Sequence, residues 1–305
     1  MKRLLATLAA LAVAAPWAPA IAQKTTIGVS LPQDDNPFYI AMLKGIRART
    51  GELGWDVVYV SSQEDKAKQI NGVQDLIARG VKGILISPID ATGVNAAYDA
   101  AAAAKIPIIS VARGSASPNQ TLHVAMDEKQ IGRDIGGWIT ASVGGKGKVA
   151  FIAGPPGAPT FKNLTDGVKE SFAKQSGMQV VFEQYGALTR ERGLKLAEDA
   201  LTANPDLVAI YAANDDVALG AAQAVQAAGK KGKVMVTGMN GIPPALRAVS
   251  DGTLSLTVEL NPVTWGRLGV DVLAGYLKGE SYKQQVFIKH ELIDQKNIGA
   301  KMPKS

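Results

Sequence analysis

From Lys24 onward, short apolar runs alternate with longer segments in which apolar residues return every three or four positions. TTIGVSL leads into a helical segment ending at Gly54, followed by the apolar run WDVVYVSS. Next come the helical KAKQINGVQDLIARG, the strand-like GILISPI, the helical GVNAAYDAAAAAK and the strand-like IPIISVA, and LHVAM (Leu122–Met126) adds a fifth strand. Strands separated by helices of about 10–15 residues predict parallel βαβ units. The same order then recurs. GKVAFIAG is a strand, PPGAPTFKN a polar loop and LTDGVKESFAKQSG a helix. MQVVFEQYG, RERGLKLAEDALTANP, LVAIYAAND, DVALGAAQAVQAAGK and KVMVTGMNG then match the first half element for element. Residue identity between the halves is slight, but order and lengths agree. The predicted fold is therefore α/β, with two doubly wound, parallel-sheet (Rossmann-like) lobes. Leu254–Leu260 is a further strand, Val263–Lys278 a helix and Gln285–Ile293 a last strand.

One stretch carries the densest candidate chemistry. Ile27–Leu31 reads as a buried strand, Pro32–Asp35 as a polar loop, and Asn36-Pro37 as a helix start. Asn is a preferred N-cap, and Pro suits the first turn because its missing N–H would be unpaired there. Tyr39, Leu43 and Ile46 then form one apolar stripe. In open α/β sheets ligands lie at the carboxyl ends of the strands. The groups placed there are the Asn36 amide and the rings of Phe38 and Tyr39. An amide beside flat rings suits a sugar, whose hydroxyls need partners and whose C–H faces lie on π-surfaces. On its own the motif fits equally a helix cap with two core rings. By the same positional rule Arg113 follows one strand of the first half. Phe161, Lys162 and Asn163, then Asn214 with Asp215, and Asn240 follow strands of the second.

The Ile27–Met42 stretch resembles the first strand, loop and helix of the periplasmic sugar-binding proteins of ABC importers, the ribose-binding type. The resemblance runs over nearly the whole chain beyond the N-terminal leader, and YAANDDVALGA is its most specific match. It implies a type I periplasmic binding protein with a three-strand hinge. The passages between lobes would fall near Met126-Asp127, Leu260-Asn261 and Lys289-His290. The lobes would then be 23–126 plus 261–289 and 127–260 plus 290–305. It supports Asn36, Phe38, Tyr39, Arg113 and Asn214 as ligand residues. Other positions depart from the family pattern: Ala112 and Asn240 stand where aspartates are usual. Leu164, Leu188 and Leu260 stand where the ribose type carries arginine, phenylalanine and glutamine. Lys162 or Asn163 would compensate for the missing arginine. These departures point away from ribose itself, toward a smaller or less hydroxylated sugar or a polyol. With no acidic partner beside Arg113, a sugar acid also fits.

Composition narrows the classes further. Hydrophobic residues make up 47% and aromatics 6%, so the cores are mostly aliphatic. With no cysteine there is no disulfide, thiolate metal site or lipid-bearing cysteine. Residues 1–22 read as a signal peptide: Lys2-Arg3, the apolar Leu4–Ala15, and Ala20-Ile21-Ala22 before the cut. Removing the two basic residues takes the formal charge from +6 to +4. The lysines gather at turns and are not interleaved with aromatics, so nucleic acid is not an expected partner. Enzyme signatures are missing: the first strand–helix turn lacks G-x-G-x-x-G, and no Walker lysine or G-x-S-x-G elbow follows. His123 and His290 each sit in a strand-like run without a second ligand at metal spacing. Glu64-Asp65 and Asp215-Asp216 precede helices, where carboxylates favour the dipole. The expectation is a monomeric periplasmic protein without cofactor or metal, binding a small carbohydrate or polyol and working with a membrane ABC permease. The alternative is a sensory module signalling to a membrane kinase or chemoreceptor.

Overall fold

The computed structural model describes residues 24–301 apart from 157 and 175–176, so the expected leader and its cut after Ala22 lie outside the described residues. The first half runs β1 (Thr26–Leu31), α1 (Pro37–Glu52), β2 (Asp56–Ser61), α2 (Lys66–Ala78), β3 (Ile84–Ile86), α3 (Asn95–Ala103), β4 (Ile108–Val111) and β5 (Leu122–Ala125). Then come α4 (Glu128–Ser142), β6 (Lys146–Ala153), α5 (Pro159–Ala173), β7 (Gly177–Tyr185), α6 (Arg190–Ala203), β8 (Leu207–Ala212), α7 (Asp215–Ala227), β9 (Met235–Thr237) and α8 (Pro243–Ser250). The chain closes with β10 (Thr257–Glu259), α9 (Pro262–Leu277), β11 (Gln285–Phe287), β12 (Glu291–Ile293) and a short 3-10 turn.

Two lobes of like topology result. The first sheet has the order β2-β1-β3-β4-β5-β11, every pair parallel. The second has the parallel order β7-β6-β8-β9, and bridges from Thr237 to Leu256 and from Asn240 to Glu259 carry it on to β10. Beside β10 lies β12, antiparallel. Strands β3 and β4 are buried at every residue, as parallel strands covered on both faces should be. The expected single strand Gln285–Ile293 is thus two strands in different sheets. Ile288 N–H still bonds the Ala125 carbonyl at 2.8 Å, after which the chain leaves the first sheet and pairs with β10 from Glu291.

Two helices escaped the periodic reading. The buried face of α4 is Ile131, Gly132, Ile135, Gly136 and Ile139, so two of its core positions carry no hydropathy signal. Helix α8 spans 8 residues, of which the first two are prolines. Each of the two long helices beyond β5 and β10 packs in the lobe opposite the strand it follows: α4 lies on α5, and α9 lies on α1. These contacts depend on paired glycines. A Cβ on Gly45 would stand 2.1 Å from the Val263 carbonyl oxygen, and one on Gly266 2.1 Å from that of Met42. Gly132 and Gly167 face Leu164 and Lys129 carbonyls at 2.1 and 2.3 Å in the α4–α5 pair. Gly193 and Gly220 do the same between α6 and α7, at 2.2 and 2.0 Å. Backbones therefore touch at three helix crossings, which any side chain would force apart. On α1 the buried stripe is Tyr39, Met42, Ile46 and Thr50; Leu43, expected in it, is only half-buried at the edge.

Candidate functional site

The carboxyl ends of β1, β2 and β4 converge with the start of α1. Asn36 is the N-cap of α1, as its sequence position implies: Oδ1 accepts from Phe38 N–H at 2.9 Å, and Nδ2 donates to Gln33 Oε1 at 2.9 Å. Both ends of that amide are therefore engaged within its own loop. Phe38 is half-buried and stands edge-on to Tyr39 (5.3 Å between centroids) and to Trp265 (5.6 Å). Trp265 comes from α9 and is fixed by Nε1 donating to the Val124 carbonyl at 3.2 Å. Tyr39 is buried, with Ser87 Oγ 3.5 Å from its hydroxyl. Burial pushes its phenol up, while Ser87 and the Arg113 guanidinium act the other way.

Arg113 lies with Cζ 5.7 Å from the Tyr39 ring centroid, within cation–π range. Its two terminal nitrogens face Glu64, Nη2 to Oε1 at 3.3 Å and Nη1 to Oε2 at 3.5 Å. The expectation of an arginine with no acidic partner is corrected here. Ala112 brings no carboxylate, but the β2–α2 loop brings one across the strand ends. In sequence Glu64 looked like one of two dipole-facing acids; only Asp65 has that role, as the N-cap of α2. Behind Arg113 the His123 ring packs under Gly114, where a Cβ would meet it at 2.6 Å. His123 Nε2 donates to the Ala112 carbonyl at 3.1 Å, and burial holds the imidazole below the usual histidine range.

In the second lobe Asn214 caps α7, Oδ1 accepting from Val217 N–H at 3.0 Å, and its Nδ2 has no protein acceptor among the described residues. Asp215 is fully buried. It accepts from Thr257 Oγ1 at 2.6 Å and from Ile242 N–H at 2.9 Å, and burial pushes its carboxyl up to about 6. A Cβ on Gly238 would lie 2.5 Å from Asp215 Oδ1, so glycine there lets the strand end approach the carboxyl. That bonding holds the loop bearing Asn240, which is exposed.

For Lys162 and Asn163 the structure corrects the local backbone. Pro159 starts α5, so both stand in its first two turns and not in a loop. Lys162 is consequently paired one turn on with Asp166 and is exposed, while Asn163 is half-buried. Leu164 is fully buried in the α4–α5 contact, Leu260 is almost buried and Leu188 packs half-buried on the second core. Leu164 therefore faces its own lobe's interior, which explains a leucine there without reference to any ligand.

Of the five non-glycine residues with positive φ among the described residues, four stand where strands end: Gln63 (51°), Glu64 (55°), Ala112 (64°) and Asn240 (129°). Such backbone costs energy and persists where the surroundings over-determine it. Sequence reading missed Glu64 and Trp265. The first had a signal, a polar residue beyond a predicted strand; the second had none, because α9 meets α1 only through the exchange of helices between lobes. Among the described residues, no hydrogen bond joins the first-lobe group (Asn36, Phe38, Tyr39, Glu64, Arg113) to Asn214 or Asn240.

Residues 27–281 match a family described as the periplasmic binding protein domain. The ribose import binding protein of Salmonella typhimurium is 33% identical over 293 residues, covering 96% of this chain and 98% of that protein. The D-allose-binding periplasmic protein of Escherichia coli is 34% identical over 250 residues, covering 78% and 80%. Among solved structures, a periplasmic ribose ABC transporter protein from Conexibacter woesei superposes with a TM-score of 0.83 at 29% identity, covering 92% of this chain and 95% of that one.

Proposed function

The chain belongs to the periplasmic binding protein domain family, and on that premise we propose that it captures a small monosaccharide or polyol between its two lobes and delivers it to an ABC permease. The observation that carries this reading is the grouping of Arg113 over the Tyr39 ring with Phe38 alongside, at the carboxyl ends of the first sheet. Guanidinium N–H groups donate to sugar oxygens, and an aromatic flank accepts the C–H face. Asn214, whose Nδ2 has no acceptor among the described residues, and Asn240 supply neutral polar groups from the other lobe. Phe38, Tyr39, Arg113, Asn214 and Asn240 are the ligand residues of this proposal, with Asn36 setting the entry of α1. Lys162 and Asn163 stand in the first two turns of α5, which follows the end of β6. The relatives' names speak of sugar import, which supports delivery over signalling. No catalytic role is assigned to any residue.

In this reading residues 1–22 are removed after Ala22 and the mature monomer works in the periplasm. The lobes, 23–126 plus 261–289 and 127–260 plus 290–305, close about the passages near residues 126, 260 and 289. Affinity is expected near micromolar, roughly −8 kcal/mol. A thermal-shift screen of sugars and polyols on the purified mature protein tests the proposal, because a ligand that binds only the native state raises its melting midpoint. A midpoint unmoved by every member of the screen would overturn it.

A further inference from the structure

We infer that Glu64 is a specificity-determining residue of the ligand site: its carboxylate accepts hydrogen bonds from ligand hydroxyls beside Arg113 and excludes ligands that bring a carboxylate of their own. The inference rests on the sugar-binding reading above and narrows its ligand class to neutral polyhydroxylated molecules.

Three observations carry it. The Glu64 backbone is held in place at the strand ends, which fixes where its exposed side chain starts. Its N–H bonds the Pro32 carbonyl at 2.9 Å, Ser62 N–H bonds the Leu31 carbonyl at 3.1 Å, and Gln63 and Glu64 take left-handed φ values of 51° and 55°. The loop after β2 is thereby pinned to the end of β1, beside the start of α1. The pair it forms with Arg113 is fork-shaped but long, at 3.3 and 3.5 Å, and 43% of the arginine and 38% of the glutamate side chain stay exposed. A short, closed ion pair would have used up both groups. Here each keeps lone pairs or N–H groups facing outward. Lastly, Ala112, next to Arg113, ends in a methyl group that accepts nothing, so Glu64 is the acceptor next to the guanidinium and the Tyr39 ring.

A hydroxyl both accepts and donates, so one placed at this pair takes an N–H from Arg113 and gives its O–H to Glu64. A carboxylate offers lone pairs only. It would be attracted by Arg113 but would face the Glu64 oxygens without a proton between them, a contact that costs more as water is excluded. Fixed opposite charges side by side thus select for ligands that are donors and acceptors at once.

The test compares the mature wild-type protein with Glu64→Gln, Glu64→Ala and Arg113→Ala. Titrations use D-ribose, D-allose and myo-inositol as neutral probes, and D-gluconate and D-glucuronate as acidic ones. Ligand-free melting midpoints are recorded first and should barely move, because an exposed pair contributes little to stability. Wild type should bind at least one neutral probe and neither acid. Glu64→Ala should weaken that neutral probe by about tenfold or more, the effect of a lost hydrogen bond to a charged group. Glu64→Gln keeps an acceptor but no charge, and should admit an acid that wild type rejects. If both Glu64 variants bind the neutral probe within about threefold of wild type (under 1 kcal/mol) and reject the acids, while Arg113→Ala loses binding, Glu64 is a bystander and the sugar site stands. If wild type prefers an acid, the inference is overturned directly. If wild type binds no probe at all, the sugar reading fails and this inference falls with it.

Discussion

The two lobes share one topology yet are built unlike where they would meet a ligand. Each places a glycine-paired helix crossing, α1 with α9 or α4 with α5, behind the first strand–helix unit of its own sheet. Each ends its strands in backbone of positive φ. The chemistry set on that common frame differs. The first lobe presents two rings, a guanidinium and a carboxylate drawn from three separate segments, with Trp265 behind them. The second presents neutral amides, Asn214 and Asn240, steadied by the buried Asp215. A repeated fold fixes where groups stand and not what they are, and the proposed site would take its charged and stacking groups from one lobe and its neutral groups from the other.

The sharpest way to break that contrast is to remove one group from each lobe. Arg113→Ala should cost about 2–4 kcal/mol of sugar binding, the scale for a charged hydrogen bond and the partner it leaves stranded. Asn214→Ala should cost about 1–2 kcal/mol, since one neutral amide is lost. Calorimetric titration reads both, and equal losses would erase the distinction between the lobes. The shared frame has its own test in chemical denaturation. Gly45→Ala and Gly132→Ala each drive a methyl into a carbonyl of the facing helix, and each should destabilise the protein by about 3 kcal/mol. Gly72→Ala is the contrast: its nearest neighbour is a Val60 methyl at 3.1 Å, and helix propensity favours alanine by up to about 1 kcal/mol, so stability should scarcely change. Phe38→Ala removes a flanking ring and should weaken binding by about 1 kcal/mol with unchanged circular dichroism.

A further effect concerns pH and arises at Asp215 of the second lobe. Burial raises the Asp215 carboxyl from 3.8 to about 6 in the folded protein. A raised carboxyl contributes stability that is complete below its unfolded value and is lost as pH rises through its folded one. The wild type should therefore lose this contribution between pH 3.8 and about 6. Asp215→Asn should flatten that part of the stability–pH curve. A curve of unchanged slope in the variant would assign the dependence to other groups.

Much of this architecture was legible in the chain because βαβ repetition is a periodic signal and strand ends are where it switches period. The cap at Asn36-Pro37 and the positions of Arg113, Asn214 and Asn240 after strands needed nothing more. What was not legible has physical causes. Helix α4 hides its face in glycines, and the start of α5 hides in a run of prolines that also suits a loop, so Lys162 and Asn163 stand in a helix where a loop was expected. Glu64 and Arg113 lie 49 residues apart and meet only because parallel strands bring distant loops to one edge. No local pattern encodes that meeting. The reversal of β12 depends on a three-residue passage between sheets that hydropathy reads as one continuous strand.

Small-angle scattering with and without a sugar that raises the melting midpoint tests the central claim, that one ligand is held by both lobes at once. A ligand bridging the charged half and the neutral half should draw the lobes together and lower the radius of gyration. A tightly bound sugar that leaves the radius unchanged, with Asn214→Ala binding it at full affinity, would contradict the account and confine recognition to the first lobe.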